Sequence, residues 1–205
     1  MLMLIVFVLP ILIDNEKDNS LFLNYMFIAL FFIGIFSARE KGFVIASMIM
    51  LTLHLALRAI RFGDNPYEFY TIERIVIILN LVLFIIINIR LLFRDQEVNA
   101  YRIIGAINVY LSVALVGAFG FELIQLFEGS SIQGNITFVG HDQDYKEFIY
   151  FSLTSISTVG FGDVYPVNME AKMLSTFLSA IGIIYPAVVI SKLISFSSSK
   201  TQKDL

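Results

Sequence analysis

The stretch that decides the fold is Thr158-Val159-Gly160-Phe161-Gly162-Asp163, between two apolar segments near the C-terminal end of the chain. Gly160 and Gly162 lack a Cβ atom, so both can take positive φ values that point successive carbonyl oxygens toward one axis. Thr158 can add its hydroxyl at the inner end, and Val159 and Phe161 are expected to point away from the axis and pack. Four copies of such a loop make a column of carbonyl oxygens that replaces the water around a cation.

The composition is that of an integral membrane protein. Apolar residues make up 58% of the chain and charged residues 15%, whereas a soluble domain has about half and about a quarter. There is no cysteine, which excludes disulfides, zinc–thiolate sites and thiol chemistry. The net charge of −3 argues against nucleic acid as a partner. No nucleophile–base pair or metal-ligand cluster stands out, so we expect neither an enzyme nor a cofactor.

Apolar segments divide the chain. A spanning helix needs about 20 apolar residues. The candidates, of which the first is short, are Met1–Ile13, Leu21–Ser37, Phe43–Ile60, Thr71–Phe93, Ile103–Phe127 and Ala171–Phe196. An amphipathic stretch, Tyr145–Ser157, precedes the loop and is predicted to be a helix whose partly negative C-terminal end favours a cation.

The loop in this setting resembles the selectivity filter of tetrameric potassium channels, in its Phe variant, and the segment order resembles the six-helix type. The resemblance implies an all-α membrane protein with six transmembrane helices, a re-entrant pore helix and a filter loop. It divides the chain into a peripheral, voltage-sensor-like four-helix domain (1–98), a pore domain (99–196) and a short cytoplasmic tail (197–205). The resemblance is specific only from about Tyr101 to Phe196.

A potassium channel of this kind conducts K⁺ passively through a homotetramer in the cell membrane. The backbone carbonyls of Thr158, Val159, Gly160 and Phe161, with the Thr158 hydroxyl, would coordinate K⁺, the only ligand expected. Non-helical backbone cannot face lipid, and one chain has one loop, so the tetramer also follows from the need to enclose it.

Residues around the loop take roles from the same resemblance. Gly162 and Asp163 would support the filter, with the Tyr150 hydroxyl bonded to Asp163. Tyr165 would surround the outer mouth and bind quaternary ammonium by cation–π attraction. Phe161 replaces the commoner Tyr, and Thr154 stands where some relatives have a buried Glu. Both departures predict a less firmly braced filter.

The last apolar segment is expected to carry the gate. Gly182 matches an inner-helix glycine hinge, although close packing of small residues explains it equally well. Pro186 should kink the helix. Ile183, Pro186 and Ile190 share a face that would line an apolar cavity, which can gate by dewetting.

Charge distribution predicts the orientation. With the loop opening outward, the termini lie in the cytoplasm together with most basic residues, which satisfies the positive-inside rule. These residues are Arg39, Lys41, Arg90, Arg94, Arg102, Lys192, Lys200 and Lys203.

A voltage sensor needs several basic residues on one helix. The fourth segment has only Arg74 near one end and Arg90 and Arg94 near the other. Arg58, on the third segment, is explained by snorkelling toward the membrane surface. We therefore expect weak or absent voltage dependence. A genuinely voltage-gated channel and, further off, a potassium uptake transporter subunit remain open alternatives.

Overall fold

The computed structural model describes residues 2–13, 25–33, 41–63, 69–94 and 100–201. Within these ranges the chain is almost entirely helical. A π-helical segment, Leu4–Val8, leads into α1 (Leu9–Ile13), and residues 25–33 form α2. The remaining elements are α3 (Lys41–Gly63), α4 (Tyr70–Arg94), α5 (Ala100–Glu128), β1 (Ile132–Gly134), a 3₁₀ turn (His141–Asp144), α6 (Tyr145–Ile156), β2 (Val164–Pro166) and α7 (Met169–Thr201).

Four described helices are long and apolar enough to cross a membrane. Their candidate spans are Lys41–Ile60, Tyr70–Phe93, Arg102–Glu128 and Met169–Lys192. They correspond to the last four predicted segments. The first two segments are described only over residues 2–13 and 25–33, which are too short to cross a bilayer by themselves. A count of six spans therefore remains a prediction.

Helix α5 occupies the centre of the packing. Its apolar residues are spread around the helix and not gathered on one face, as in helices that contact neighbours on several sides. Leu115, Phe119 and Phe121 are almost fully buried, and α4, α6 and α7 all contact the helix. Gly120 allows close approach to α7, because a Cβ there would lie 2.8 Å from Leu174 Cδ2. Small residues permit such contacts where helices pack closely in a membrane.

The first two helices pack against α5 and α6. Phe27 of α2 makes edge-to-face contacts with Phe119, at 5.3 Å between ring centroids, and with Tyr145, at 6.0 Å. The Tyr145 hydroxyl donates a hydrogen bond to the Ile5 carbonyl at 3.1 Å. Within one chain, the first two helices therefore pack against the start of α6. The predicted domain boundary at residues 98–99 lies outside the described residues.

Two features differ from the predicted helices. The short strands β1 and β2 pair antiparallel, with Gln133 opposite Tyr165, and no helical pattern could have indicated them. Helix α7 continues to Thr201, beyond the predicted end at Phe196, since the Ser-rich sequence that follows contains no Gly or Pro to stop it. The rest of the predicted tail, 202–205, lies outside the described residues.

Candidate ion-conducting site

Helix α6 is fastened to its neighbours by serine hydroxyls. Ser152 Oγ donates to the Ala114 carbonyl of α5 at 2.6 Å, where Gly117 leaves room for it. On the other side, Ser179 Oγ of α7 donates to the Ser155 carbonyl at 2.8 Å. These bonds satisfy buried polar groups that lipid could not. They fix α6 between the two long helices.

The last carbonyl of α6 is enclosed as well. The Tyr110 hydroxyl of α5 donates to the Ile156 carbonyl at 3.2 Å. Gly182 of α7 lies so close to the same carbonyl that a Cβ at this position would overlap its oxygen. Helix α7 is continuous through Gly182. The structure thus gives Gly182 a close-packing role, and its role as a hinge stays a prediction.

The loop Thr158–Asp163 has an alternating backbone. Thr158, Gly160 and Gly162 have φ values of +59°, +52° and +82°, while Val159 and Phe161 do not have positive φ. Glycine adopts positive φ without steric cost, but Thr158 does so against its preference. Alternation of this kind turns successive carbonyl groups toward the same side of the chain, which a helix or a strand does not do.

Hydrogen bonds hold the start of the loop but leave its oxygens open. The N–H groups of Val159 and Gly160 both donate to the Thr154 carbonyl, at 3.1 and 3.3 Å. No group in the described part of the chain donates a hydrogen bond to the carbonyl oxygens of Thr158, Val159, Gly160 or Phe161. These residues are exposed in a single chain, so their oxygens are open to a ligand. Four successive oxygens without a donor can therefore serve as ligands for a cation.

The far end of the loop is held by Asp163. The Tyr150 hydroxyl donates to Asp163 Oδ2 at 2.6 Å, and this bond raises the pKa of Tyr150. The other carboxylate oxygen accepts from the Val164 N–H at 3.0 Å, and the Asp163 carbonyl accepts from the Asn135 N–H at 2.9 Å. The loop is thus fixed at both ends while its middle is open.

The loop and the adjoining faces are exposed in a single chain. Val159 is 52% exposed and Phe161 72%, so the packing expected for these side chains is not supplied by their own chain. Tyr165, just beyond the loop, is half exposed. Helix α7 also presents large exposed apolar side chains, namely Met169, Met173, Phe177, Ile183, Ile184, Val188, Ile190 and Ile194.

Pro186 and Ile190 line an apolar crevice of about 390 Å³ between the N-terminal part of α5 and the middle of α7. Tyr110 and Tyr185 also line it, and the Tyr185 hydroxyl donates to the Ala106 carbonyl at 2.9 Å. Within one chain, Pro186 and Ile190 therefore lie beside α5. Their role in a gate stays a prediction. Ile183 is exposed on α7 and is not part of the crevice.

Sequence reasoning missed a buried ionic cluster next to α6. Arg74, only 1% exposed, pairs with Glu122 of α5 and with Asp142 just before α6. Arg58 also contacts Asp142, so snorkelling does not explain its position. The sequence did contain one signal of this cluster, since Glu122 is an acid within an apolar candidate span. An ionisable residue in such a span is by itself a reason to expect a functional site.

Comparison with known proteins supports an ion channel. A family model described as an ion channel matches residues 109–199, which include most of α5, all of α6, the loop and nearly all of α7. The helices before α5 lie outside the matched segment. No curated protein and no solved structure matches the chain. An ion channel in a membrane agrees with the four apolar helices.

Proposed function

We propose that this chain forms a potassium-selective channel that conducts K⁺ passively across the cell membrane as a homotetramer. The observation that carries the proposal is the row of four carbonyl oxygens, Thr158 to Phe161, which accept no hydrogen bond from any described residue in a loop fixed at both ends. The ion-channel match over the same segment agrees with it. The identity of the ion rests on the TVGFGD sequence of the loop.

The proposal of a tetramer is supported by the loop and apolar surface that a single chain leaves exposed. Every residue from Ser157 to Asp163 is exposed, and non-helical backbone at membrane depth must be enclosed by protein. Val159, Phe161 and the exposed face of α7 offer apolar surface for that contact. Four copies around one axis would bring four loops together and cover this surface.

Conduction would then be a series of exchanges between oxygen ligands. Each ring of four carbonyls replaces part of the hydration shell of K⁺, and ions in adjacent rings repel one another onward. The Thr158 hydroxyl completes the inner end. Asp163, held by Tyr150, concentrates cations at the outer end. No covalent step is involved, and K⁺ is the substrate of transport.

The peripheral helices would complete a six-span subunit with little sensitivity to voltage. Arg74 is engaged by acids of α5 and the segment before α6, so it is not free to move across the field. Arg90 lies over the Phe43 ring, 5.0 Å from its centroid. The α4 sequence between Arg74 and Arg90 contains no basic residue. A steep conductance–voltage curve would contradict this part of the proposal.

Two matched glycine variants test the function. Gly160 (φ +52°) and Gly129 (φ +76°) both have positive φ and no atom within 4 Å of an added Cβ, but only Gly160 lies in the loop. Alanine at either position costs about 1–2 kcal/mol of backbone strain. In planar bilayers with purified protein, Gly160→Ala should lose the preference for K⁺ over Na⁺, and Gly129→Ala should keep it. Equal selectivity in both variants would contradict the proposal.

A further inference from the structure

Arg74 is the centre of a buried cluster that joins three parts of the chain. Its Nε lies 3.0 Å from Glu122 Oε2 at the end of α5, and its Nη2 contacts Asp142 Oδ1. Nη2 also lies 2.5 Å from the Tyr70 hydroxyl, and the guanidinium lies 4.3 Å from the centroid of the Tyr70 ring. The planar guanidinium can serve several oxygens at fixed angles, which a lysine cannot do.

A second arginine reaches the same aspartate from another helix. Arg58 Nη1 of α3 lies 3.6 Å from Asp142 Oδ2 and 3.7 Å from Glu73 Oε1 of α4. Asp142 is therefore shared by arginines of α3 and α4, one at each carboxylate oxygen. It is 5% exposed, so both contacts are shielded from water and from salt.

Asp142 lies in the turn that starts the helix carrying the loop. The 3₁₀ turn His141–Asp144 runs directly into α6, which begins at Tyr145. A helix of 12 residues behaves as a rod of about 18 Å, at roughly 1.5 Å per residue. The loop is fastened to the other end of this rod through Thr154. A restraint at Asp142 consequently limits where the loop can lie.

Stabilisation alone does not account for this arrangement. A buried ion pair is weak evidence for stability, since its attraction is offset by the loss of hydration, and its best-attested use is to fix position or register. Glu122 by itself already balances the single positive charge of Arg74. Asp142, which is shared with a second arginine, adds a connection to α6. That connection is not needed to join α4 to α5.

We propose that Arg74 is a positioning residue for the ion pathway: together with Arg58 it holds Asp142, and so the start of α6, against α3, α4 and α5. This inference rests on the proposed potassium pathway. It gives the peripheral helices a function other than voltage sensing, which is to keep the loop in its conducting geometry.

Two isosteric substitutions separate positioning from stabilisation. Asp142→Asn and Glu122→Gln each remove one buried carboxylate partner of Arg74, but only the first loosens α6. The assay is single-channel recording of the purified full-length protein in planar bilayers with symmetrical K⁺, together with the thermal stability of its assembled form. We expect Asp142→Asn to lower open probability about tenfold, which corresponds to a change of about 1.4 kcal/mol in the open–closed equilibrium. Glu122→Gln should keep an open probability close to that of the wild type, although its thermal stability falls because Arg74 loses a buried partner.

Two further variants, Asp142→Glu and Arg58→Gln, test whether the charge of Asp142 and its second arginine are required. Asp142→Glu keeps the charge and should restore open probability, while Arg58→Gln keeps the Arg74 contact and should give an intermediate fall even if Asp142→Asn does not assemble. Equal open probability in Asp142→Asn and Glu122→Gln, or no fall in Arg58→Gln, would overturn the inference. A wild-type protein that passes no K⁺ current would overturn the proposed function and this inference with it, so the two failures are distinguishable.

Discussion

Replacement of Gly182 by alanine tests how α7 supports the loop. A Cβ at this position would overlap the Ile156 carbonyl oxygen, lie 2.7 Å from the carbonyl carbon and lie 3.3 Å from Ile156 Cγ1. A backbone carbonyl cannot rotate away as a side chain can, so α6 and α7 must separate. Separation would stretch the Ser179–Ser155 hydrogen bond, which joins the two helices and is 2.8 Å long.

The magnitude follows from two opposing effects. Overpacking of a close contact costs about 1–3 kcal/mol. Alanine in a helix interior recovers about 0.5–1 kcal/mol relative to glycine. We therefore expect Gly182→Ala to lower the free energy of unfolding by about 1–2 kcal/mol. Because the strain falls on the last carbonyl of α6, open probability should fall as well.

Gly105→Ala is the matched control. Gly105 lies within helix α5, and the nearest atom to an added Cβ is Asn88 Oδ1, at 3.9 Å. Alanine there meets no clash and should be neutral or stabilising. Thermal unfolding and single-channel recording of both variants would measure the difference. An unchanged melting temperature in Gly182→Ala would refute the packing argument and leave Gly182 as a hinge.

Three further predictions concern the outer end of the loop. Tyr150→Phe removes the hydroxyl that bonds Asp163, so K⁺ current should decline faster during sustained recording; an unchanged decline would argue against this support. Tyr165→Val should weaken external block by tetraethylammonium, since each ring contributes about 0.5–1 kcal/mol by cation–π attraction; equal block would reject the position assigned to Tyr165. Ser130→Cys adds the only cysteine and should react with an impermeant thiol reagent applied outside; reaction from inside alone would invert the topology.

The helices could be predicted because their causes are local. Long apolar segments in a chain with few charges specify spanning helices, and α3, α4, α5 and α7 each match a predicted segment within a few residues. Positive φ at Gly160 and Gly162 follows from the residue type. Positive φ at Thr158 does not, since threonine disfavours it, and the observed value depends on the alternation of the whole loop.

The contacts that hold the site together could not be predicted from local pattern. Arg74 lies 48 residues from Glu122 and 68 from Asp142, and no periodicity links residues so far apart. The β1–β2 pairing likewise joins the segments before and after α6. The serine bonds of α6 depend on the register of three helices. Sequence therefore indicated the loop, and tertiary packing determined what fixes it.

The reversal potential of the purified wild-type protein tests the central claim most directly. In a planar bilayer with a tenfold K⁺ gradient and Na⁺ as the replacing cation, a K⁺-selective pathway should reverse near the K⁺ equilibrium potential, about 59 mV from zero for a single charge. The proposed ring-by-ring coordination of K⁺ by the carbonyls of Thr158 to Phe161 predicts this result. Reversal near zero would contradict it, because Na⁺ replaces K⁺ without a chloride gradient, and a non-selective or an anion-selective pathway would both reverse there.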